Sequence, residues 1–323
     1  MTLPFGAAIG GRSFRVARDS ARAVDGASET SVNPSRQGRS WDRRQLHLVV
    51  NAMLYLQGGS LNQAVYPDLK GKFAIITGAS RGNGIGAATC RALAMQGANI
   101  LFTSWQAYDR EQPHGVDENG PIALEQALQN SGVKARRLEI DLSHPDSAAQ
   151  VLDAAQEWLG LPDVLVNNAA HSTHDGFELL DAAKLDAHYA VNMRSTFLLA
   201  VEFARRAKAL GRLSGRIISM SSGQDWGPMP GELAYVATKG AIEAFTLSLA
   251  SELAPLGITV NAVDPGATDS GWMTEQMRRE WSVRSGVAKL NQPEDAARVI
   301  VFLASDAARH LTGQVIHARG SAI

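Results

Sequence analysis

From Lys72 onward, short apolar runs alternate with longer segments whose apolar residues recur at helical spacing. Runs such as Phe73-Ala74-Ile75-Ile76-Thr77 and Arg216-Ile217-Ile218-Ser219-Met220 carry almost no polar alternation, the pattern of strands covered on both faces. Such alternation is satisfied by a parallel sheet with helices on both sides. Strands are predicted at 73–77, 98–104, 134–140, 164–166, 216–220, 258–263 and 314–317. Helices are predicted at 85–96, 121–130, 145–158, 181–210 (one long helix), 235–256 and 293–305. The fold class is therefore α/β: one doubly wound parallel sheet of about seven strands, in a single domain spanning 67–323. Residues 106–120 read as a polar loop, long for a βα connection. Residues 268–291, with Trp272, Met273, Met277 and Trp281, read equally as a lid or as a contact between subunits.

The first βα connection is rich in glycine: Thr77-Gly78-Ala79-Ser80-Arg81-Gly82-Asn83-Gly84-Ile85-Gly86. A strand enters it and a helix leaves it. Glycines let backbone approach a pyrophosphate, and the helix start offers free N–H groups to the anion, as in a Rossmann-type dinucleotide site. In that fold an acid at the end of the second strand holds a ribose 2′-hydroxyl and repels a 2′-phosphate. Here Thr103-Ser104-Trp105 carries no acid, and Arg81 lies in the turn, which favours NADP over NAD; Ser104 suits either.

A second cluster follows the strand at 216–220. Ser221 and Ser222 end it, a loop broken by Gly223, Gly227, Pro228, Pro230 and Gly231 follows, and then Tyr235-Val236-Ala237-Thr238-Lys239 opens a helix. Tyr235 and Lys239 stand one turn apart on one face. An ammonium beside a phenol favours the phenolate, and a serine nearby orients the same substrate oxygen; together they move a proton on and off an alcohol or carbonyl oxygen. Strand alternation puts Ser221 and Ser222 on opposite sides. Gln224, Asp225 and Trp226 read as pocket wall or surface loop.

Composition narrows the partners. A formal net charge of −1 gives no global field toward nucleic acid or acidic membranes, and no apolar run approaches a membrane span. The single cysteine, Cys90, excludes an internal disulfide framework, fits a reducing compartment such as the cytoplasm, and reads as helix packing. Residues 1–66 hold eight Arg and four acids (Asp19, Asp25, Glu29, Asp42) and read as a disordered extension, or as an overlong start with Met53 as initiator. His171, His174 and Asp175 follow the fourth strand without a third or fourth ligand, so no metal is expected and they read as substrate-side or solvent residues.

Taken together, the glycine turn, Asp141, Asn167-Asn168-Ala169-Ala170, Asn192, Ser222, Tyr235, Lys239 and Asn261-Ala262-Val263-Asp264-Pro265-Gly266 fall in an order that resembles the short-chain dehydrogenase/reductases, notably those labelled 3-oxoacyl-carrier-protein reductase. The resemblance covers about residues 69–320 and keeps the Ser222-to-Tyr235 spacing of thirteen. It implies an NAD(P)-dependent enzyme acting on CH–OH groups. Tyr235 would be general acid/base, Ser222 would stabilise the substrate oxygen, Lys239 would lower the phenol pKa and hold the nicotinamide ribose, and Asn192 would hold a relay water. Cofactor contacts would come from Gly78, Ser80, Arg81, Gly84, Ile85 and Gly86, from Ser104, Asp141 and Leu142, from Asn168, Ala169 and Ala170, and from Tyr235, Lys239, Pro265, Gly266 and Thr268.

The turn is two residues longer than the family's usual string, so Gly82 competes with Gly84 as its middle glycine; the helix junction favours Gly84. The family also implies a homotetramer or homodimer built on the helices from Asp181 and Tyr235. Two rivals stay open: an NAD-dependent alcohol or sugar dehydrogenase, and a cofactor-sensing protein without turnover.

Overall fold

The computed structural model describes residues 64–112, 115–224, 227–271, 275, 276, 279 and 290–319. The compact unit that holds them spans Asn62–Ile323. The extension expected at 1–66 therefore lies outside the described residues, apart from its last three. Asp225, Trp226, Trp272, Met273, Met277 and Trp281 lie outside them as well.

The elements run β1 (Phe73–Ile76), α1 (Ile85–Met95), β2 (Asn99–Ser104), α2 (Gln106–Glu111), α3 (Gly120–Asn130), β3 (Ala135–Glu139), α4 (Ser147–Leu159) and β4 (Val164–Asn167). Then come α5 (Ala182–His188), a π-helical segment (Tyr189–Ser195), α6 (Thr196–Ala209), β5 (Gly215–Met220), α7 (Leu233–Leu253), β6 (Ile258–Asp264), α8 (Pro293–Ala304) and β7 (Val315–His317). All seven strands are parallel, in the order β3-β2-β1-β4-β5-β6-β7.

Alternate strand residues feed two separate cores. Ala74, Ile76, Ile100 and Phe102 pack with Cys90 and Leu93 of α1, Leu128 of α3 and Ile300 of α8. Phe73, Ile75, Leu101 and Leu165 pack with Leu152 of α4, Phe203 of α6 and Leu249 of α7. Each strand is thus buried on both sides, which is why it reads as an unbroken apolar run. The chain turns back at β1: β2 and β3 lie to one side, β4 to β7 to the other. Ligands of such sheets sit beyond the carboxyl ends of the strands at this reversal.

Two expectations need correction. The presumed loop from Gln106 begins with helix α2, whose first N–H, that of Gln106, is held by Glu139 Oε1 at 2.6 Å. The presumed single helix from Asp181 is broken by the π-helical segment around Asn192; such insertions gather at functional sites.

Candidate active site

The glycine turn is locked to its neighbours by backbone chemistry. Gly78 N–H donates to Thr103 Oγ1 (3.1 Å) and Ala79 N–H to the Thr103 carbonyl (2.8 Å). Gly78 has φ +72°, and a Cβ there would come within 2.6 Å of Ala169 Cα. A Cβ on Gly86 would strike the Gly78 carbonyl and sit 2.7 Å from Asn168 Nδ2. Gly82 faces open space, while Gly84 is the N-cap of α1 and offers no side chain to its N–H groups. The free N–H groups and the bare backbone fit a dinucleotide pyrophosphate. Ile85 opens α1, and Ser80 accepts the Trp105 N–H at 3.1 Å.

At the reversal, Asn168 Nδ2 donates to the carbonyls of Thr77 (2.9 Å) and Gly78 (2.8 Å). The Thr77 hydroxyl accepts the N–H groups of Asn168 and Ala169, both at 3.0 Å. Asn168, Ala169 and Ala170 thus fasten the end of β4 to the turn after β1. Asp141 folds into its own turn by accepting the Ser143 N–H (2.8 Å), beside the buried Leu142. Gly266, at φ +62°, donates its N–H to Asp264 Oδ1 (2.9 Å), and the Thr268 hydroxyl donates back to the Pro265 carbonyl (2.9 Å).

Helix α7 and the end of β5 bring the reactive groups together. The Tyr235 phenol shares a hydrogen bond with the Ser222 hydroxyl. Ser222 is half-buried and Ser221 buried, as their alternation predicts. The Lys239 ammonium lies 5.4 Å from the Tyr235 ring centre and donates to the Met220 carbonyl at 2.9 Å. Burial pulls the Lys239 pKa down to about 8. Asn192 is fully buried. Its Oδ1 accepts the His171 N–H (2.7 Å), and its amide group donates to the His171 carbonyl (2.9 Å) and to Thr238 Oγ1 (3.0 Å). The Thr238 hydroxyl donates in turn to the Tyr235 carbonyl at 2.8 Å. Asn192 is therefore wired to the backbone of the tyrosine itself.

The electrostatics depart from expectation in one respect. The sequence sets an ammonium to lower the Tyr235 pKa, yet the phenol sits above its ordinary range. Burial penalises the phenolate most, and the Glu232 carboxylate three residues earlier repels it; the Ser222 hydrogen bond recovers only part.

Several residues to which sequence reasoning gave no structural part complete the site, Asp175 among them, which reads in the sequence as a substrate-side or solvent residue. Helix α7 has no cap from its own N-cap residue, Glu232. Asp175 supplies one instead, accepting the N–H groups of Leu233 (2.6 Å) and Ala234 (2.8 Å) on its two oxygens. His188 accepts the Thr173 N–H, and the Tyr108 hydroxyl accepts the Ser172 N–H (3.1 Å), so residues 171–175 tie Asn192, α2 and α7 together. Asp264 is completely buried and meets His317 Nδ1 (3.0 Å) and Arg319 Nε (2.6 Å). Burial raises its pKa, but these partners and the Gly266 N–H outweigh it and hold the carboxyl below its usual range.

Three of these four acids, Asp175, Glu232 and Asp264, were individually visible as charges in mostly apolar or small-residue surroundings, but their partners were not. The fourth, Glu139, joins β3 to the end of β2: Ser104 Oγ donates to its Oε2 at 2.5 Å. Ser104, expected to suit either cofactor, thus gives its hydrogen to an acid; β2 itself ends without one, as expected, but the last residue of β3 brings a carboxylate beside it. Among the described residues no three His, Cys, Asp or Glu side chains gather as a metal site requires.

Residues 78–320 match a family model described as enoyl-(acyl carrier protein) reductase. The chain is 53% identical over 252 residues to the uncharacterized oxidoreductase YjdA of Bacillus subtilis, covering 78% of this chain and 97% of that one. It belongs to the short-chain dehydrogenase/reductases. Within that family it is also 30% identical over 255 residues to the 3-oxoacyl-[acyl-carrier-protein] reductase FabG of Aquifex aeolicus, covering 78% and 97% of the two chains. Among solved structures, a blue fluorescent protein from a metagenomic library in complex with NADPH superposes with a TM-score of 0.69 at 31% identity, covering 78% of this chain and 98% of that one. As a short-chain dehydrogenase/reductase the chain is an oxidoreductase acting on CH–OH or carbonyl groups, and the family uses NAD(P). No helix among the described residues is long and apolar enough to cross a membrane.

Proposed function

We propose that this short-chain dehydrogenase/reductase interconverts a ketone and a secondary alcohol, running as an NADPH-linked reduction of a 3-oxoacyl or similar small-molecule carbonyl. The observation that carries the reading is the Tyr235 phenol bonded to Ser222, with Lys239 one helical turn away. The nicotinamide group, when bound, supplies or accepts the hydride. The chain's own part is the proton. Tyr235 gives its hydroxyl proton to the substrate oxygen as charge develops there, and Ser222 holds that oxygen in place. A phenol held above its ordinary range stays protonated at neutral pH, which suits donation in the reductive direction. Lys239, positively charged below about pH 8, favours the phenolate left behind. Asn192 positions Tyr235 through Thr238.

The backbone cradle of Gly78, Gly84 and Gly86 would hold the pyrophosphate, with Asp141 and Leu142 toward the adenine and Pro265, Gly266 and Thr268 toward the nicotinamide. The NADPH in the structural neighbour and the presence of Arg81 support NADP(H) as cofactor; Glu139 beside Ser104 favours the second reading, an NAD-linked alcohol or sugar dehydrogenase. The chain would act in the cytoplasm, and as a homotetramer or homodimer; the oligomer is supported by Leu198 and Leu247, exposed on α6 and α7, the helices whose Phe197 and Phe245 rings stack on each other.

The test is Tyr235→Phe, assayed on a carbonyl and alcohol panel at the nicotinamide absorbance with both cofactors. Turnover should fall by about 10³-fold or more while cofactor binding survives. Unchanged turnover defeats the mechanism; cofactor binding by the wild type with no turnover on any substrate favours a cofactor-sensing protein.

A further inference from the structure

We propose that Glu139 reads the adenosine ribose of the cofactor, accepting a hydrogen bond from a free 2′-hydroxyl and repelling a 2′-phosphate. The inference rests on the dinucleotide reading above and assigns a discriminating residue within it.

In dinucleotide folds this task falls to an acid at the end of the second strand. Here β2 ends in Ser104, and the acid arrives from the neighbouring strand instead. The β2–β3 register pairs Ser104 with Glu139 directly. The carboxylate is then fixed at that spot by two short bonds, one from the Ser104 hydroxyl (2.5 Å) and one from the Gln106 N–H (2.6 Å). Ser80 of the glycine turn reaches the same corner through the Trp105 N–H. Turn, β2 and Glu139 thus converge on Ser104–Gln106, although Glu139 stands 35 residues after Ser104 in sequence.

The cations that could cancel this charge are otherwise engaged. Arg110 feels the Glu139 field, but its guanidinium is held by both oxygens of Glu118, at 2.9 and 2.8 Å. Arg81 leans toward Tyr108 and Asp109, and one of its buried nitrogens, Nη1, has no acceptor. Arg81 is thus the cation nearest the turn that a 2′-phosphate could draw on, once its buried guanidinium turns outward. The site therefore sets one cation for the phosphate against one carboxylate opposed to it. A narrow preference follows, with both cofactors bound, and Glu139 sets how narrow.

The bland role for Glu139 is to cap the chain where β2 passes into α2. A cap would affect NADH and NADPH alike, whereas a ribose reader changes their ratio. The experiment measures dissociation constants of NADH and NADPH by their fluorescence on the full chain, for wild type, Glu139→Gln and Glu139→Ala. Glutamine keeps an oxygen for the Gln106 N–H and removes the charge; alanine removes both. The ratio Kd(NADPH)/Kd(NADH) should fall by about fivefold or more in each variant, chiefly through tighter NADPH binding. A smaller change, or equal weakening of both cofactors, overturns the proposal and leaves the cap. If wild type binds neither dinucleotide, the cofactor reading itself fails and this inference with it. Turnover plays no part in the measurement.

Discussion

Removing the Asp175 carboxylate should loosen the catalytic helix at the end that matters. Asp175 is only 7% exposed, and its oxygens hold the Leu233 and Ala234 N–H groups, immediately before Tyr235. Since Glu232 provides no cap of its own, Asp175→Ala leaves two first-turn donors without a partner. Loss of an N-cap side chain costs about 0.5–2 kcal/mol, and a charge-assisted hydrogen bond contributes roughly 1.5–3 kcal/mol. With two such bonds but shared geometry, and some rescue by entering water, the net cost should be about 2–4 kcal/mol. For a folded unit of this size that lowers Tm by roughly 5–15 °C. Turnover measured well below the lowered Tm should also fall, by about tenfold or more, because Tyr235 is the next residue along and small misplacements of a proton donor are costly. Asp175→Asn keeps one acceptor and should recover part of both losses. Melting by circular dichroism and initial rates on the same preparations make the test. A Tm within about 2 °C of wild type, together with unchanged kcat, would show that the helix start is held by something else.

Two further outcomes follow from the geometry. Gly86→Ala would drive a methyl into the Gly78 carbonyl and Asn168, so both cofactors should bind at least about tenfold more weakly by fluorescence titration, with a core strain of about 1–3 kcal/mol appearing as a lower Tm. Glu232→Gln removes the carboxylate that raises the Tyr235 pKa. In the alcohol-oxidising direction, where phenolate must be present, the rising limb of kcat against pH should move to lower pH, and an unmoved limb would clear Glu232 of any influence.

Much of this arrangement was legible before any coordinates. Apolar runs buried on both faces announce a parallel sheet, and Ser222, Tyr235 and Lys239 reveal themselves by spacing within one strand–loop–helix unit. What stayed hidden depends on register and on distant loops. Glu139 meets Ser104 only because β2 and β3 align as they do, and no periodicity encodes that alignment. Asp175 caps a helix 58 residues downstream, so no local capping pattern betrays it. The phenol pKa also escaped, because the sequence supplies a neighbouring ammonium but not the degree of burial that outweighs it. Helix α2 was missed since its charged residues look like a loop until Glu139 is seen holding its first N–H.

The Asp264 clasp has a bearing on how the protein is made. The carboxylate before Pro265-Gly266 is emplaced by His317 and Arg319, 53 and 55 residues later. On a ribosome, the loop on the nicotinamide side would be translated long before its two clamping partners leave the exit tunnel. A nascent chain that had folded β1 to β6 would still carry a bare anion where the finished protein has a satisfied one, so this corner would be the last to set.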